Sequence, residues 1–168
     1  MRTPGQKLTV TTPSDREVQL TRLFDAPPAL VYEAHTRPEL LKRWLGGGYL
    51  NGWSMAVCEI DLKVGGAYRY LWRGPNGAEM GMRGILRELV PGQRIVATEK
   101  FDESWYPGEA VSTTTMKAEG NGTRLTITVK YESREARDIV LQTPMAEGMS
   151  AGYDTLAAVL AEQAGIQS

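Results

Sequence analysis

Apolar and polar positions alternate along most of this chain, beginning at Glu17. Over Glu17–Phe24 the apolar residues Val18, Leu20 and Phe24 recur at period two, which predicts a strand with one buried face. Arg22 falls on the same parity, so either a bulge re-aims it or a guanidinium faces the interior. The period then changes. Pro27 sits in an opening helical turn, where a missing N–H costs nothing, and Leu30, Val31 and Ala34 share one helical face. Thr36-Arg37-Pro38-Glu39 fits a capping box, the threonine hydroxyl accepting from the Glu39 amide, and predicts a second short helix over 37–45. Gly46-Gly47-Gly48 is expected to stop that helix through the left-handed cap conformation.

From Trp53 onward the pattern is that of strands: 53–61, Ala67–Arg73, Glu79–Val90, Arg94–Phe101, 109–118 and 123–132. Gly65-Gly66, Gly74-Pro75-Asn76-Gly77, Pro91-Gly92-Gln93 and Gly120-Asn121-Gly122 supply turns between most of them. Connections this short join antiparallel neighbours, because a parallel pair needs a crossover of about a dozen residues or more. The last strand alternates most cleanly, with Leu125, Ile127, Val129 and Tyr131 on one side. Asn121-Gly122-Thr123 also matches a glycosylation acceptor, but its setting is hairpin chemistry and the turn reading is preferred. The segment 134–142 reads as a short helix or an ordered loop. Thr143-Pro144 then opens a final helix, threonine as N-cap, with Met145, Met149, Gly152, Leu156, Val159 and Leu160 along one stripe.

A strand, two helices, six strands and a long helix predict an α+β domain. Its curved antiparallel sheet, of about seven strands, closes over the last helix and encloses a small apolar cavity. The 168 residues suit one domain over 15–168 after a polar, flexible tail at 1–14. Composition changes little: 42% hydrophobic residues are ordinary, and a net charge of −1 offers no basic field for nucleic acid or anionic lipid. Cys58 is the sole cysteine, so no internal disulfide forms, which favours a reducing compartment. With neither an apolar leader nor a run long enough to span a bilayer, a cytoplasmic location is expected.

Several short motifs occur in order: Phe24-Asp25-Ala26-Pro27, Arg37-Pro38-Glu39-Leu40-Leu41 with Trp44, and Asp61-Leu62-Lys63-Val64-Gly65-Gly66. Tyr68-Arg69-Tyr70, Arg83-Gly84-Ile85 and Glu88-Leu89-Val90-Pro91 continue the series. On these the chain resembles the SRPBCC (START-like) superfamily. Within it, the likeness is to the family named after the activator of heat-shock-protein-90 ATPase, in its small stand-alone bacterial form. The resemblance spans 17–162 and implies the helix-grip fold, in which the last helix closes a cup. That superfamily includes lipid carriers, aromatic polyketide cyclases, hormone receptors, self-resistance proteins and co-chaperone domains, so the fold leaves the function open.

Candidate chemistry follows from what borders the cup. Tyr68, Tyr70 and Trp72 share one strand parity, and Met80 and Met82 share another. Trp44, Trp53, Trp105, Met145, Met149 and Tyr153 fall on neighbouring elements. Such side chains fill cores, but they also line cavities, where Met adapts and the tips of Trp and Tyr orient a ligand. The helix-grip resemblance favours lining. Arg22, Glu59, Arg69 and Glu99 are candidate polar anchors: a carboxylate buried near Arg22 or Arg69 would have a shifted pKa, whereas one facing solvent would be structural. His35, the one histidine, ends the first helix and reads as a partner for a backbone carbonyl; Cys58 reads as a small hydrophobe. A lone histidine and a lone cysteine make no zinc site of usual composition, and neither a Gly-x-Ser-x-Gly elbow nor a phosphate loop occurs, so no metal, cofactor or catalytic residue is assigned. The leading reading is a monomer or homodimer that binds a small apolar or aromatic molecule. A cyclase- or hydrolase-type enzyme using polar groups in the same cavity ranks second, and a co-chaperone-like protein-interaction module third.

Overall fold

In the computed structural model, residues 7–45 and 52–167 are described, and eight strands form one antiparallel sheet. A short β1 (Thr9–Thr11) and β2 (Glu17–Phe24) precede two helices, α1 (Pro28–Thr36) and α2 (Pro38–Trp44). A meander follows: β3 (Ser54–Ile60), β4 (Ala67–Arg73), β5 (Glu79–Val90), β6 (Arg94–Phe101), β7 (Ala110–Glu119) and β8 (Gly122–Lys130). Then come α3 (Arg134–Leu141) and α4 (Met145–Gln167). The sheet order is β1-β2-β8-β7-β6-β5-β4-β3, so α1 and α2 carry the chain from one side of the sheet to the other. This is the α+β, helix-grip arrangement. No helix among the described residues is long and apolar enough to cross a membrane.

Residues 9–11, expected within a polar tail, instead pair with Thr21, Leu20 and Gln19 as an edge strand. All three are exposed, so no burial alternation marks them. At the β7–β8 hairpin Glu119 pairs with Gly122, leaving Gly120-Asn121 as the loop, with Gly120 at φ 60°. Bulges between Met55 and Val57 and between Leu86 and Glu88 add local twist and help curl the sheet.

The expected capping box does not form. Thr36 donates its hydroxyl to the Tyr32 carbonyl at 3.0 Å, closing α1, and Arg37 is the N-cap of α2 with no side-chain capping bond. The cause is Pro38, which disfavours helical geometry at the residue before it and moves the boundary one position on. Glu39, freed from a capping role, accepts from Arg37 Nε at 2.7 Å. The expected glycine stop at 46–48 lies outside the described residues. Thr143 likewise donates to the Val140 carbonyl, at 2.6 Å, instead of capping α4, whose first bond runs from Gly148 N to Pro144 O. The segment before it is a true helix, with the Ser133 hydroxyl accepting from Ala136 N at 3.1 Å.

Along α4 the apolar stripe divides into two. Leu156, Val159 and Leu160 are buried in the main core with Phe24, Leu41 and Trp44. Met145 and Met149, in the first turns, are only half-buried. The helix packs on α1 and α2, and its opening turns span open space.

Arg22 settles the parity question: β2 runs in unbroken register with β8, and the guanidinium points inward, 1% exposed. It donates to Asp154 of α4 at 2.8 Å and lies 4.9 Å from the Phe24 ring centre. The pair clamps α4 to the sheet, and its two halves are unequal because the Asp154 side chain is 47% exposed. Removing Asp154 strands a buried guanidinium; removing Arg22 leaves a carboxylate that water can reach. Asp154→Ala is therefore expected to cost about 3 kcal/mol and Arg22→Met about 1 kcal/mol. Urea denaturation of the two variants checks the order.

Candidate functional site

Alternation aims one face of the central strands at the space beneath α4. From β4 come Tyr68, Tyr70 and Trp72, from β5 Met80, Met82 and Leu86, and from β6 Ala97, Glu99 and Phe101. Ser112 and Thr114 of β7 and Ile127 and Val129 of β8 complete the floor. Met145, Met149 and Tyr153 of α4 form the roof, with Trp44 and His35 at the helical end and Trp105, Tyr106 and Tyr131 at the other wall. The cavity volume is about 620 Å³. Among the lining side chains Leu62, Trp105, Pro144 and Glu147 are exposed and mark where the cavity reaches solvent.

Ten of the eleven expected aromatic and sulfur residues thus border one space: Trp44, Tyr68, Tyr70, Trp72, Met80, Met82, Trp105, Met145, Met149 and Tyr153. The eleventh, Trp53, lies against Gly74, where a Cβ would come within 2.3 Å of the indole, and packs on the main core from outside the cavity.

Several polar tips are already engaged. Trp44 Nε1 donates to Ala34 O and Trp72 Nε1 to Leu45 O, each at 2.8 Å, so these indoles fix the wall and have no N–H left for a ligand. The Tyr68 hydroxyl donates to the Thr98 carbonyl. By contrast, Tyr153 is 1% exposed and its hydroxyl has no partner, a costly state for a buried donor. Tyr70, Tyr106 and Tyr131 also make no side-chain hydrogen bond among the described residues.

Of the four expected polar anchors only Glu99 lines the cavity. Glu59 is exposed on the outer face of β3, turned there by the bulge that brings Met55, Cys58 and Ile60 inward. Arg69 is on the outer face of β4 and holds Asp102 through two bonds of 2.7 and 2.6 Å, with Arg83 joining at 2.8 Å. Arg22 serves α4, as above.

Glu99 is half-buried and lies on the cavity lining. Desolvation pushes its carboxyl up to about 7. The Ser112 hydroxyl, 3.4 Å from the Ala97 carbonyl, has one proton to share between that carbonyl and Glu99, and pulls the other way only weakly. Burial and then the Glu99 charge hold the hydroxyls of Tyr68, Tyr106, Tyr131 and Tyr153 well above the usual range; for Tyr70 the order is burial, Cys58, Glu99. The tyrosines are therefore neutral donors around a single carboxyl.

His35 meets the expectation of a carbonyl partner, its Nδ1 lying 2.7 Å from Val31 O. A carbonyl only accepts, so Nδ1 carries the proton and the buried Nε2 is left as an unpartnered acceptor. Burial lowers its pKa to about 4. Cys58 is buried in the core, its thiol pushed up to about 11 by desolvation. Among the described residues no group of three or more His, Cys, Asp or Glu is placed to hold a metal ion.

Tyr106, Phe101 and Ser112 also line the cavity, beyond the residues singled out from sequence, and so does His35, expected only as a carbonyl partner. Phe101 shares strand parity with Glu99, a signal that was available. Tyr106 lies in a connection without periodicity, and nothing local marks it.

The family model described as "Activator of Hsp90 ATPase homolog 1-like protein" matches residues 25–161. Solved structures superpose closely. A protein from Rhodobacter sphaeroides is 32% identical, with a TM-score of 0.87 over 93% of this chain and 99% of that one. Protein CV1439 from Chromobacterium violaceum is 29% identical, with a TM-score of 0.70 over 88% and 98%. Protein Ms6760 from Mycobacterium smegmatis shares the fold at 24% identity, with a TM-score of 0.79 over 91% and 96%. No curated protein matches the sequence.

Proposed function

This chain belongs to the family of Activator of Hsp90 ATPase homolog 1-like proteins, and from that premise we propose that it binds a small, mostly apolar molecule, aromatic or lipid-like, beneath α4. The observation that carries this reading is the cavity of about 620 Å³. Its size is that of a ligand pocket, and aromatic, thioether and aliphatic side chains make up most of its lining. The bound tips of Trp44, Trp72 and Tyr68 all go to backbone carbonyls. They shape a wall, and differ from the hydrogen-bonded acid–base pair that a hydrolytic or cyclising site needs. A protein-interaction module, in turn, predicts a filled core, which an open space of this volume does not favour.

A ligand burying about 200 Å² of apolar surface gains roughly 5 kcal/mol before the costs of association, so micromolar affinity needs polar anchoring as well. Met149, at the roof and half-buried, gives the test. Met149→Trp is expected to fill the space, weakening binding of a hydrophobic fluorescent dye at least about tenfold while changing stability by under about 1 kcal/mol. Packed core would instead lose about 1–3 kcal/mol from overpacking. Large destabilisation together with no saturable dye binding by the wild type would overturn the cavity reading.

A further inference from the structure

The lining of the cavity carries an uneven set of charges. Glu99 is the ionisable carboxyl within it, Glu147 stands at the exposed rim, and no Lys or Arg is among the described lining residues. Glu99 makes no ion pair among the described residues. Arg22, a buried cation of β2, is paired with Asp154. An anionic ligand would meet a carboxylate with nothing to offset it. A neutral one would leave the carboxyl as it is.

The groups facing Glu99 come from each element packed around it. Tyr68 and Tyr70 project from β4, Ser112 from β7, Tyr106 from the β6–β7 connection, Tyr131 from the end of β8 and Tyr153 from α4. Phe101, on the same face of β6, packs tilted against Trp105 at 4.5 Å between ring centres, and Tyr106 stands edge-on to Tyr131 at 5.2 Å. Aromatic faces attract cations, and phenolic oxygens accept from an ammonium N–H. Tyr153, also on the lining, is fully buried and its hydroxyl has no partner among the described residues. Beyond this cluster the walls are mostly thioether, indole and aliphatic, with His35, Thr36, Thr114 and Thr143 among them.

We propose that the cavity takes an amphipathic organic amine, its ammonium group paired with Glu99 inside the ring of tyrosines and its apolar body lying along Trp72, Met80, Met82 and Met149. The inference rests on the ligand-cavity reading and narrows it to one charge class. Ion pairing holds Glu99 in its ionised form, so bound amine and the carboxyl proton exclude one another. Since burial places the carboxyl near 7 in the empty cavity, affinity for the amine rises as pH rises through that value and then levels off.

The test is calorimetric titration of the full chain with three probes of one shape: phenylbutylamine, phenylbutanol and phenylbutanoic acid. Above neutrality, at about pH 8.5, the amine stays protonated and is expected to bind at least about tenfold tighter than the alcohol, the scale of a charge-assisted hydrogen bond. At about pH 5.5 the preference should fall to near unity, and Glu99→Gln should abolish it at both pH values while still binding the alcohol. Salt near about 0.15 M screens the solvated Glu147 at the rim. If Glu99→Gln fails to fold, the pH dependence in the wild type carries the test alone. Saturable binding of the alcohol with an amine preference that is absent, or that ignores pH, overturns the amine inference and leaves the cavity reading standing. Tighter binding of the acid does the same. No saturable binding by any of the three overturns both.

Discussion

Gly84→Ala is expected to destabilise the domain by about 3 kcal/mol, a loss out of proportion to one methyl group. The β5–β6 ladder passes from Arg83 opposite Lys100 to Leu86 opposite Ala97. In the interval, side chains supply the bonds. Tyr68 reaches across β5 from β4 to donate to the Thr98 carbonyl, and the Thr98 hydroxyl accepts from Ile85 N at 2.8 Å. That crossing requires a residue without a side chain beneath the ring. A Cβ at Gly84 would stand 1.9 Å from Thr98 O and 2.6 and 2.7 Å from Cε1 and the hydroxyl of Tyr68. The nearest obstacle is backbone and cannot rotate away. Tyr68→Phe, which loses only the hydrogen bond, is expected to cost about 1 kcal/mol, and adding it to Gly84→Ala should rescue little. Thermal melts of the three proteins decide the matter. An alanine variant melting within about a degree of the wild type would show that the ring does not cross there.

Much of this was legible because a strand has a period of two. Parity alone placed Tyr68, Tyr70, Trp72, Met80 and Met82 on one wall, and the spacing of Met145 and Met149 put both under α4. The same alternation sends Arg69 outward, since Tyr68 and Tyr70 on either side of it turn in. Glu59 was misplaced by a different cause: the bulge after Met55 reverses parity midway along β3, and a bulge leaves no mark in the apolar pattern. The engaged tips of Trp44 and Trp72 were invisible for a third reason. Their partners, Ala34 and Leu45, are carbonyls brought near by tertiary packing, and any residue type can supply a carbonyl. Capping at Thr36 failed by one residue because Pro38 outweighs the threonine in fixing where a helix starts. Sequence thus fixes which strand face is wet or dry more securely than what each polar atom on it touches.

Two desolvated titratable groups lead to the other large effect, because they lean in opposite directions. Glu99 is raised to about 7 in the folded protein by desolvation, so below the usual carboxylate range folded and unfolded chains are alike in holding its proton. As pH climbs from about 4.5 to about 7 the unfolded chain ionises and the folded one resists, and stability falls by roughly 3 kcal/mol. His35 is lowered to about 4 by its burial. Above about 6.5 it is neutral in both states; as pH drops toward 4 the unfolded chain takes up a proton that the folded one refuses, and stability again falls, by a similar roughly 3 kcal/mol. Across the shared window the slopes oppose, and the wild type is expected to show a flattened pH profile. Single substitutions should uncover each slope. Glu99→Gln leaves the histidine in control, so its stability should rise with pH between about 4.5 and 6.5. His35→Asn keeps a polar group near the Val31 carbonyl and leaves the carboxyl in control, so its stability should decline over the same interval. Exposed acids such as Glu39 and Glu119 contribute the same background to all three proteins and cancel in the comparison. Urea unfolding at four or five pH values reads the result directly. Profiles that run parallel in wild type and both variants would mean that neither group titrates under the constraint of burial, and would remove the electrostatic basis for selecting a charged ligand at Glu99.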